Sequence, residues 1–182
     1  MRKPLFLDRD GVLNVDVTPY VSRIEQLEIF PYTAEALRLL NQAGFDLFVV
    51  SNQQGVSKGI TPPEELSKMT EALQDVCREQ GFEIRKFYYC TALKGEDHSW
   101  RKPAPGMIMA ARDEFNLDLN GAFLIGDKWS DIEAGARAGL RTLLVYSGVT
   151  APGEETNWKH QPESAFPTVL EAAQWIVGEG RS

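Results

Sequence analysis

Short apolar runs that halt at small polar or acidic residues recur along this chain, and helical patterns fill the intervals between them. Leu5-Phe6-Leu7 stops at Asp8, residues 45–50 stop at Ser51, and residues 122–125 run into Gly126-Asp127. Residues 84–89 and 141–146 are two more such runs. Their shortness and unbroken apolar character read as strands buried on both faces. The stretch 33–43 sets Leu37, Leu40 and Ala43 on one helical face, with Gly44 as its C-terminal cap. Thr61-Pro62-Pro63-Glu64 has the form of a capping box with proline in the first turn. The helix it opens carries Leu66, Met69, Leu73 and Val76 inward and ends at Gly81. Residues 106–115 form a third helix with Met107, Ile108, Ala111 and Phe115 inward. Ser130 and Glu133 cap a fourth that ends near Gly139, and Thr168 and Glu171 cap a last one. Residues 147–167, rich in Pro, Gly, Glu, Ser and Thr, read as a long surface loop or a linker to that helix.

Alternating strands and helices require right-handed crossovers. The expected fold is α/β: a doubly wound parallel sheet of about five strands with flanking helices. Residues 15–27 and 55–81 are too short for a separate cap domain, so residues 1–182 are expected to form a single domain with an open site. Ligands of such sheets lie beyond the carboxyl ends of the strands, near a switch in strand order. Asp8, Ser51 and Asp127 each follow a strand directly, and Lys102 lies in the loop after the third, so all four reach that edge.

The net charge of −7 argues against sequence-independent nucleic-acid binding, which needs a basic face. It leaves room for a small anionic substrate if a cation reverses the potential locally. Only Cys77 and Cys90 are present, so no disulfide framework is implied. Met1-Arg2-Lys3 leads through a short apolar stretch into Asp8-Arg9-Asp10, unlike a signal peptide, and no run is long enough to span a bilayer. The expectation is a cytoplasmic protein, a monomer, with a small-molecule phosphate as partner and neither nucleic acid nor membrane.

The segments LFLDRDGVLN (5–14), VVSNQ (49–53), RKPAPG (101–106) and LIGDKWSD (124–131) together suit phosphoryl transfer. They offer a carboxylate nucleophile, a second carboxylate for proton transfer, acidic ligands for a hard cation, and donors for phosphate oxygens. A carboxylate such as Asp8 is already ionised at neutral pH and needs no base to attack phosphorus. Asp10 can protonate the leaving alcohol and then deprotonate the attacking water. Oxygen ligands and phosphate chemistry favour Mg²⁺. Ser51 and Asn52 can donate to phosphate oxygens, and Lys102 can hold the phosphoryl group as a point charge. Arg101 can read a distal anionic group by a two-pronged contact. Lys58, between Gly55 and Gly59, and Lys128 are further cations.

In that order, Asp8-Arg9-Asp10-Gly11-Val12, Ser51, Lys102 and Gly126-Asp127-Lys128…Asp131 resemble the four motifs of the haloacid dehalogenase (HAD) superfamily of phosphatases. The resemblance implies a Rossmann-like HAD fold. It puts the Asp8 side chain, the Asp10 main-chain carbonyl and Asp127 on the metal, with Asp131 as an additional acidic partner. LDRDGVLN, SNQQG, RKPAPGM and IGDKWSDIEAG are similar to histidinol-phosphate and D-glycero-D-manno-heptose 1,7-bisphosphate phosphatases over roughly residues 5–149. The heptose enzymes are nearer. Asp16 and Tyr20 resemble their Asp-x-x-Tyr with one extra residue, and Ala104-Pro105-Gly106-Met107 matches their x-Pro-Gly-Met. The implied substrate-binding set is Asp16, Tyr20, Ser51, Asn52, Gln53, Arg101, Lys102 and Lys128. The implied reaction is removal of the 7-phosphate. Histidinol phosphate, a polynucleotide 3′-phosphate, or a silent binding module of the same fold are the alternatives. Many relatives carry a zinc loop, Cys-x-His…Cys-x-Cys, before Arg-Lys-Pro. Here Cys90 stands first, Ala92 replaces the histidine, and His98 and Trp100 stand at the last two positions. Two ligands of four do not make a closed zinc site, so zinc is not expected.

Overall fold

The computed structural model describes residues 2–96 and 98–179. Met1, Asp97 and residues 180–182 fall outside it, and with them the ends of the expected 1–182 domain. The strands are β1 (Lys3–Leu7), β2 (Phe45–Asn52), β3 (Lys86–Cys90), β4 (Phe123–Gly126), β5 (Arg141–Val145) and β6 (Ser164–Phe166). The helices are α1 (Thr33–Gln42), α2 (Pro63–Arg78), α3 (Gly106–Phe115), α4 (Trp129–Arg137) and α5 (Val169–Glu179). The strands form one sheet in the order β3-β2-β1-β4-β5-β6, and every pair is parallel.

Strand residues alternate between two packed layers, as a sheet covered on both faces requires. Leu5, Leu7, Leu47, Val49, Ile125 and Leu143 pack with Leu37 and Leu40 of α1, Leu73 of α2 and Ala172 of α5. Phe6, Phe48, Val50 and Leu124 pack with Met107 and Ile108 of α3 and Ala134 of α4. The Phe6 and Phe48 rings stack at 5.5 Å. After β1 the chain moves outward to β2 and β3, then returns to the other side of β1 for β4. The strand order therefore reverses between β1 and β4, where such folds open a crevice. The connections over residues 8–32 and 53–62 contain neither strand nor α-helix, so the described residues build no second layer above this edge. No helix among them is long and apolar enough to cross a membrane.

Four expectations are corrected. The sheet has six strands, because Ser164-Ala165-Phe166, inside the presumed loop 147–167, pairs with Leu143–Val145. Thr61 does not cap α2: the N-cap is Pro62, and the Thr61 hydroxyl is buried without a partner. Ser130 does not cap α4 either. That helix starts two residues earlier, at Trp129 with Lys128 as its N-cap, and Asp131 supplies the carboxylate that takes the Lys128 N–H. Cys77 rather than Val76 completes the buried face of α2. The Thr168–Glu171 cap forms as read: Thr168 Oγ1 accepts the Leu170 N–H at 3.1 Å, and Glu171 accepts the Thr168 N–H at 3.1 Å. Gly44 follows α1 with φ at +91°, a conformation that costs a side chain dearly.

Candidate active site

Asp8 directly follows β1 and Asp127 directly follows β4, the two strands flanking the reversal. The Asp8 N–H reaches the Ile125 carbonyl at 3.0 Å, which sets the two carboxylates side by side. Asp131, one turn into α4, completes a cluster whose ligand oxygens lie within 4.8 Å of one another. All three are buried. Three carboxylates this close and this dry need cations. Lys102 enters from the loop after β3, and its ammonium lies 3.0 Å from Asp8 Oδ1, 2.6 Å from Asp131 Oδ1 and 2.8 Å from the Val50 carbonyl. Asn52 holds that loop in place. Its side chain accepts the Lys102 N–H at 3.0 Å and donates to the Lys102 carbonyl at 3.1 Å. The Asn52 amide is thus engaged with backbone, and the Lys102 ammonium is shared between two carboxylates and one backbone carbonyl.

Lys128 is the second cation. Its ammonium stands 3.3 Å from Asp127 Oδ1, 3.7 Å from Asp8 Oδ2 and 3.9 Å from Asp16 Oδ2. These charges divide the carboxylates. Burial pushes Asp8 up, but Lys102 and Lys128 more than offset it and bring it down to about 2. Asp127 is pushed up to about 8, by burial first and then by Asp131 and Asp8, against the pull of Lys128. Burial likewise raises Asp131 and Asp16 above the ordinary carboxylate range.

The cluster fits a hard divalent cation. Asp127 Oδ2 accepts the Val149 N–H at 3.1 Å, while its buried Oδ1 accepts no hydrogen bond and lies 3.3 Å from the Lys128 ammonium. Lys128 thus sits among Asp8, Asp127 and Asp16 as a stand-in for such a charge. Gly11 and Gly148 press against the same carboxylate. A Cβ on either would come within 2.6 Å or 2.1 Å of Asp127 Oδ2. Asp131 is otherwise occupied: Oδ2 takes the Asp127 and Lys128 N–H groups, each at 3.2 Å, and Oδ1 takes Lys102.

A cavity of about 560 Å³ opens over this edge, with Asp8, Asp10, Ser51, Tyr20, Arg101 and Trp129 among its walls. Ser51 is buried at the end of β2, its hydroxyl accepting Gln53 Nε2 at 3.1 Å. Gln53 also donates to Asp10 Oδ2 at 2.9 Å, so its side chain is turned inward. On the outer wall the Tyr20 hydroxyl accepts Lys58 Nζ at 2.8 Å and Gln54 Nε2 at 2.9 Å. Arg101 lies against that group, donating to the Ala92 carbonyl at 2.7 Å and to Gln54 Oε1 at 3.3 Å. In the degenerate zinc-loop positions, Cys90 Sγ lies 3.8 Å from His98 Nδ1, and Trp100 packs edge-on against Tyr88 at 6.0 Å.

The site residues named from sequence line this cavity or the cluster beneath it, except Lys58, which reaches the Tyr20 hydroxyl instead. Five contributors lie outside that set. Arg9 is fully buried yet forks onto Asp10. Asn14 donates to Asp10 Oδ1 at 2.9 Å. Gln54 ties Arg101 to Tyr20, and Gly148-Val149 brackets Asp127. Only Arg9, flanked by the two aspartates of the first motif, carried a local signal.

Comparison with known proteins gives a consistent set. A family model described as HAD-hydrolase-like matches residues 99–172. The chain is 37% identical over 158 residues to the D-glycero-D-manno-heptose-1,7-bisphosphate 7-phosphatase of Chlorobaculum tepidum, covering 80% of this chain and 79% of that one. It is 38% identical over 164 residues to the D-glycero-beta-D-manno-heptose-1,7-bisphosphate 7-phosphatase of Pasteurella multocida, covering 85% and 89%. Among solved structures, the D,D-heptose 1,7-bisphosphate phosphatase of B. bronchiseptica, complexed with magnesium and phosphate, superposes with a TM-score of 0.87. That pair is 25% identical, over 97% of this chain and 99% of the other.

Proposed function

Because this chain belongs to the HAD-like phosphatases, we propose that it hydrolyses a small sugar phosphate through a phosphoryl group carried on Asp8, with D-glycero-D-manno-heptose 1,7-bisphosphate as substrate and its 7-phosphate as the group removed. The observation that carries the reading is the juxtaposition of an ionised Asp8 with Lys102, Asp127 and Asp131 where the strand order reverses. Residues 1–182 are read as one phosphatase domain, monomeric and cytoplasmic, whose partner is a small molecule.

In this reading Asp8 Oδ2, the oxygen less engaged by neighbours, attacks phosphorus. Asp10 gives its proton to the departing sugar oxygen, then takes one from the water that hydrolyses the aspartyl-phosphate. Ser51 donates its hydroxyl proton to a phosphoryl oxygen. Lys102 keeps Asp8 anionic and aimed. Asp8, Asp127 and the Asp10 carbonyl would hold Mg²⁺, which supplies positive charge that lets one anion approach another. Tyr20, Asp16, Lys128 and Arg101 face the sugar and the second phosphate.

The cationic wall supports a bisphosphate over histidinol phosphate, whose amine Arg101, Lys58 and Lys128 would repel. A charge-assisted contact contributes roughly 1.5–3 kcal/mol, or about one to two decades in specificity. A phosphate-release screen across metabolite phosphates with Mg²⁺ tests the substrate. The heptose bisphosphate is expected to give the higher kcat/KM of the two. Arg101→Ala is expected to cost the bisphosphate about ten- to a hundredfold in kcat/KM while leaving a simple aryl phosphate nearly unchanged. Equal losses would assign Arg101 to the loop, where it already holds Ala92, and remove the reason for ranking the bisphosphate first.

The loop at Cys90, Ala92, His98 and Trp100 is read as closed by packing rather than by zinc. Purified protein is expected to carry substoichiometric zinc by elemental analysis, and chelator treatment should leave its melting temperature set by Mg²⁺ alone. One bound zinc per chain, lost on Cys90→Ala, would overturn this.

A further inference from the structure

Arg9 is the largest side chain wholly buried among the described residues. Sequestering a guanidinium is expensive unless its charge is met, and removing one partner of a buried pair leaves the other charge uncompensated. Its contacts are specific. Nε donates to Asp10 Oδ1 and Nη2 to Asp10 Oδ2, each at 2.9 Å, a two-pronged grip on one carboxylate. Nη2 also reaches Gln53 Oε1 at 3.2 Å. Gln53 in turn donates through Nε2 to Asp10 Oδ2 at 2.9 Å and to Ser51 Oγ at 3.1 Å. Asn14 adds a donor to Asp10 Oδ1 at 2.9 Å. Both oxygens of Asp10 are therefore held from behind, and the holder is linked through Gln53 to the Ser51 hydroxyl. Asp10 keeps a partly open side chain at the cavity.

The geometry points to Arg9 as a positioning residue that aims Asp10 at the leaving-group oxygen, with Gln53 as the brace that ties this aim to the Ser51 phosphate contact. The inference rests on the reading of Asp10 as the proton donor. In the step concerned, an Asp8 oxygen bonds to phosphorus and the bond from phosphorus to the alkoxide breaks. The Asp10 carboxyl proton passes to that alkoxide, releasing the alcohol and leaving Asp10 as a carboxylate in the Arg9 fork. The water that later attacks the aspartyl-phosphate returns a proton to Asp10. A purely structural arginine would have no stake in which ester is cleaved. An aiming arginine matters only when the leaving group needs a proton.

The test compares kcat/KM, which reports on steps up to alcohol release, for ethyl phosphate and 4-nitrophenyl phosphate with Mg²⁺. Arg9→Met is expected to lower the ethyl ester on the order of 100-fold, the cost of a misplaced catalytic group, with the nitrophenyl ester within about threefold of the parent. Asp10→Asn is the control and should show the same selectivity more strongly. If Asp10→Asn is unselective, the reading of Asp10 fails and the inference with it. If Asp10→Asn is selective but Arg9→Met lowers both esters equally or neither, only the positioning role is overturned. Should Arg9→Met not fold, Arg9→Lys, which keeps the charge and loses the two-pronged grip, serves in its place. It is expected to show the same selectivity at about tenfold, and an equal loss on both esters would overturn the inference.

Discussion

Asp8→Asn is expected to give a folded protein whose phosphate release is down at least about 10⁴-fold, or some 5.5 kcal/mol in barrier. The amide keeps the shape of the carboxylate and loses the charge that attacks. Asp8 is suited to attack because Lys102 and Lys128 bring it down to about 2, so it is ionised throughout the physiological range. The fold should survive. Lys102 keeps Asp131 at 2.6 Å and the Val50 carbonyl at 2.8 Å, and removing one of three crowded carboxylates relieves repulsion. Steady-state phosphate release beside a thermal melt checks both halves. Substantial turnover by a well-folded variant would sink the covalent route.

The second large effect concerns the metal. EDTA is expected to abolish activity and Mg²⁺ to restore it, and Asp127→Asn should weaken Mg²⁺ by about 100-fold or more. The electrostatics add a sign that can be checked without turnover. Burial and the neighbouring Asp131 and Asp8 push Asp127 up to about 8, so the metal-free protein holds a proton there at neutral pH. A raised carboxylate costs folding stability above its unfolded value of 3.8, increasingly until about 8, and a bound cation reverses that cost. Mg²⁺ uptake should therefore release up to one proton. Apparent affinity should climb about tenfold per pH unit at most, then level off near pH 8. Calorimetric titration in buffers of different ionisation enthalpy measures the proton count. A pH-independent affinity with no proton release would mean that Asp127 is already ionised.

Much of this was written in local pattern. Strands that end in Asp8, Ser51 and Asp127 are legible because the apolar run and the polar stop are adjacent in sequence, and a parallel sheet converts shared strand direction into a shared edge. The helices at 33–42, 106–115 and 169–179 followed from periodicity and caps. What failed depended on partners far away. Ser164-Ala165-Phe166 has no strand signal of its own and is extended because β5 offers an edge to pair with. Thr61 and Ser130 carry capping chemistry, but Pro62 and Lys128 occupy the cap positions. Asn52 looked like a phosphate donor, and the fold turns its amide onto the backbone of Lys102, fifty residues on. Arg9 has aspartates on both sides in sequence, but its burial depends on Gln53, forty-four residues on, and arginines are seldom buried. Gly148 sat in a stretch read as surface loop, yet its lack of a side chain is what lets that loop close on Asp127.

The central claim is that the phosphoryl group passes through Asp8. Its most direct test uses the Asp10→Asn protein with Mg²⁺ and 4-nitrophenyl phosphate, where the leaving group needs no proton but the trapped intermediate lacks its base for hydrolysis. Rapid acid quench and peptide mass spectrometry are expected to find one phosphoryl group on the peptide spanning residues 5–14, localised to Asp8 and absent from Asp8→Asn. A burst of nitrophenolate with no phosphorylated Asp8, or with the adduct on another residue, would contradict the account.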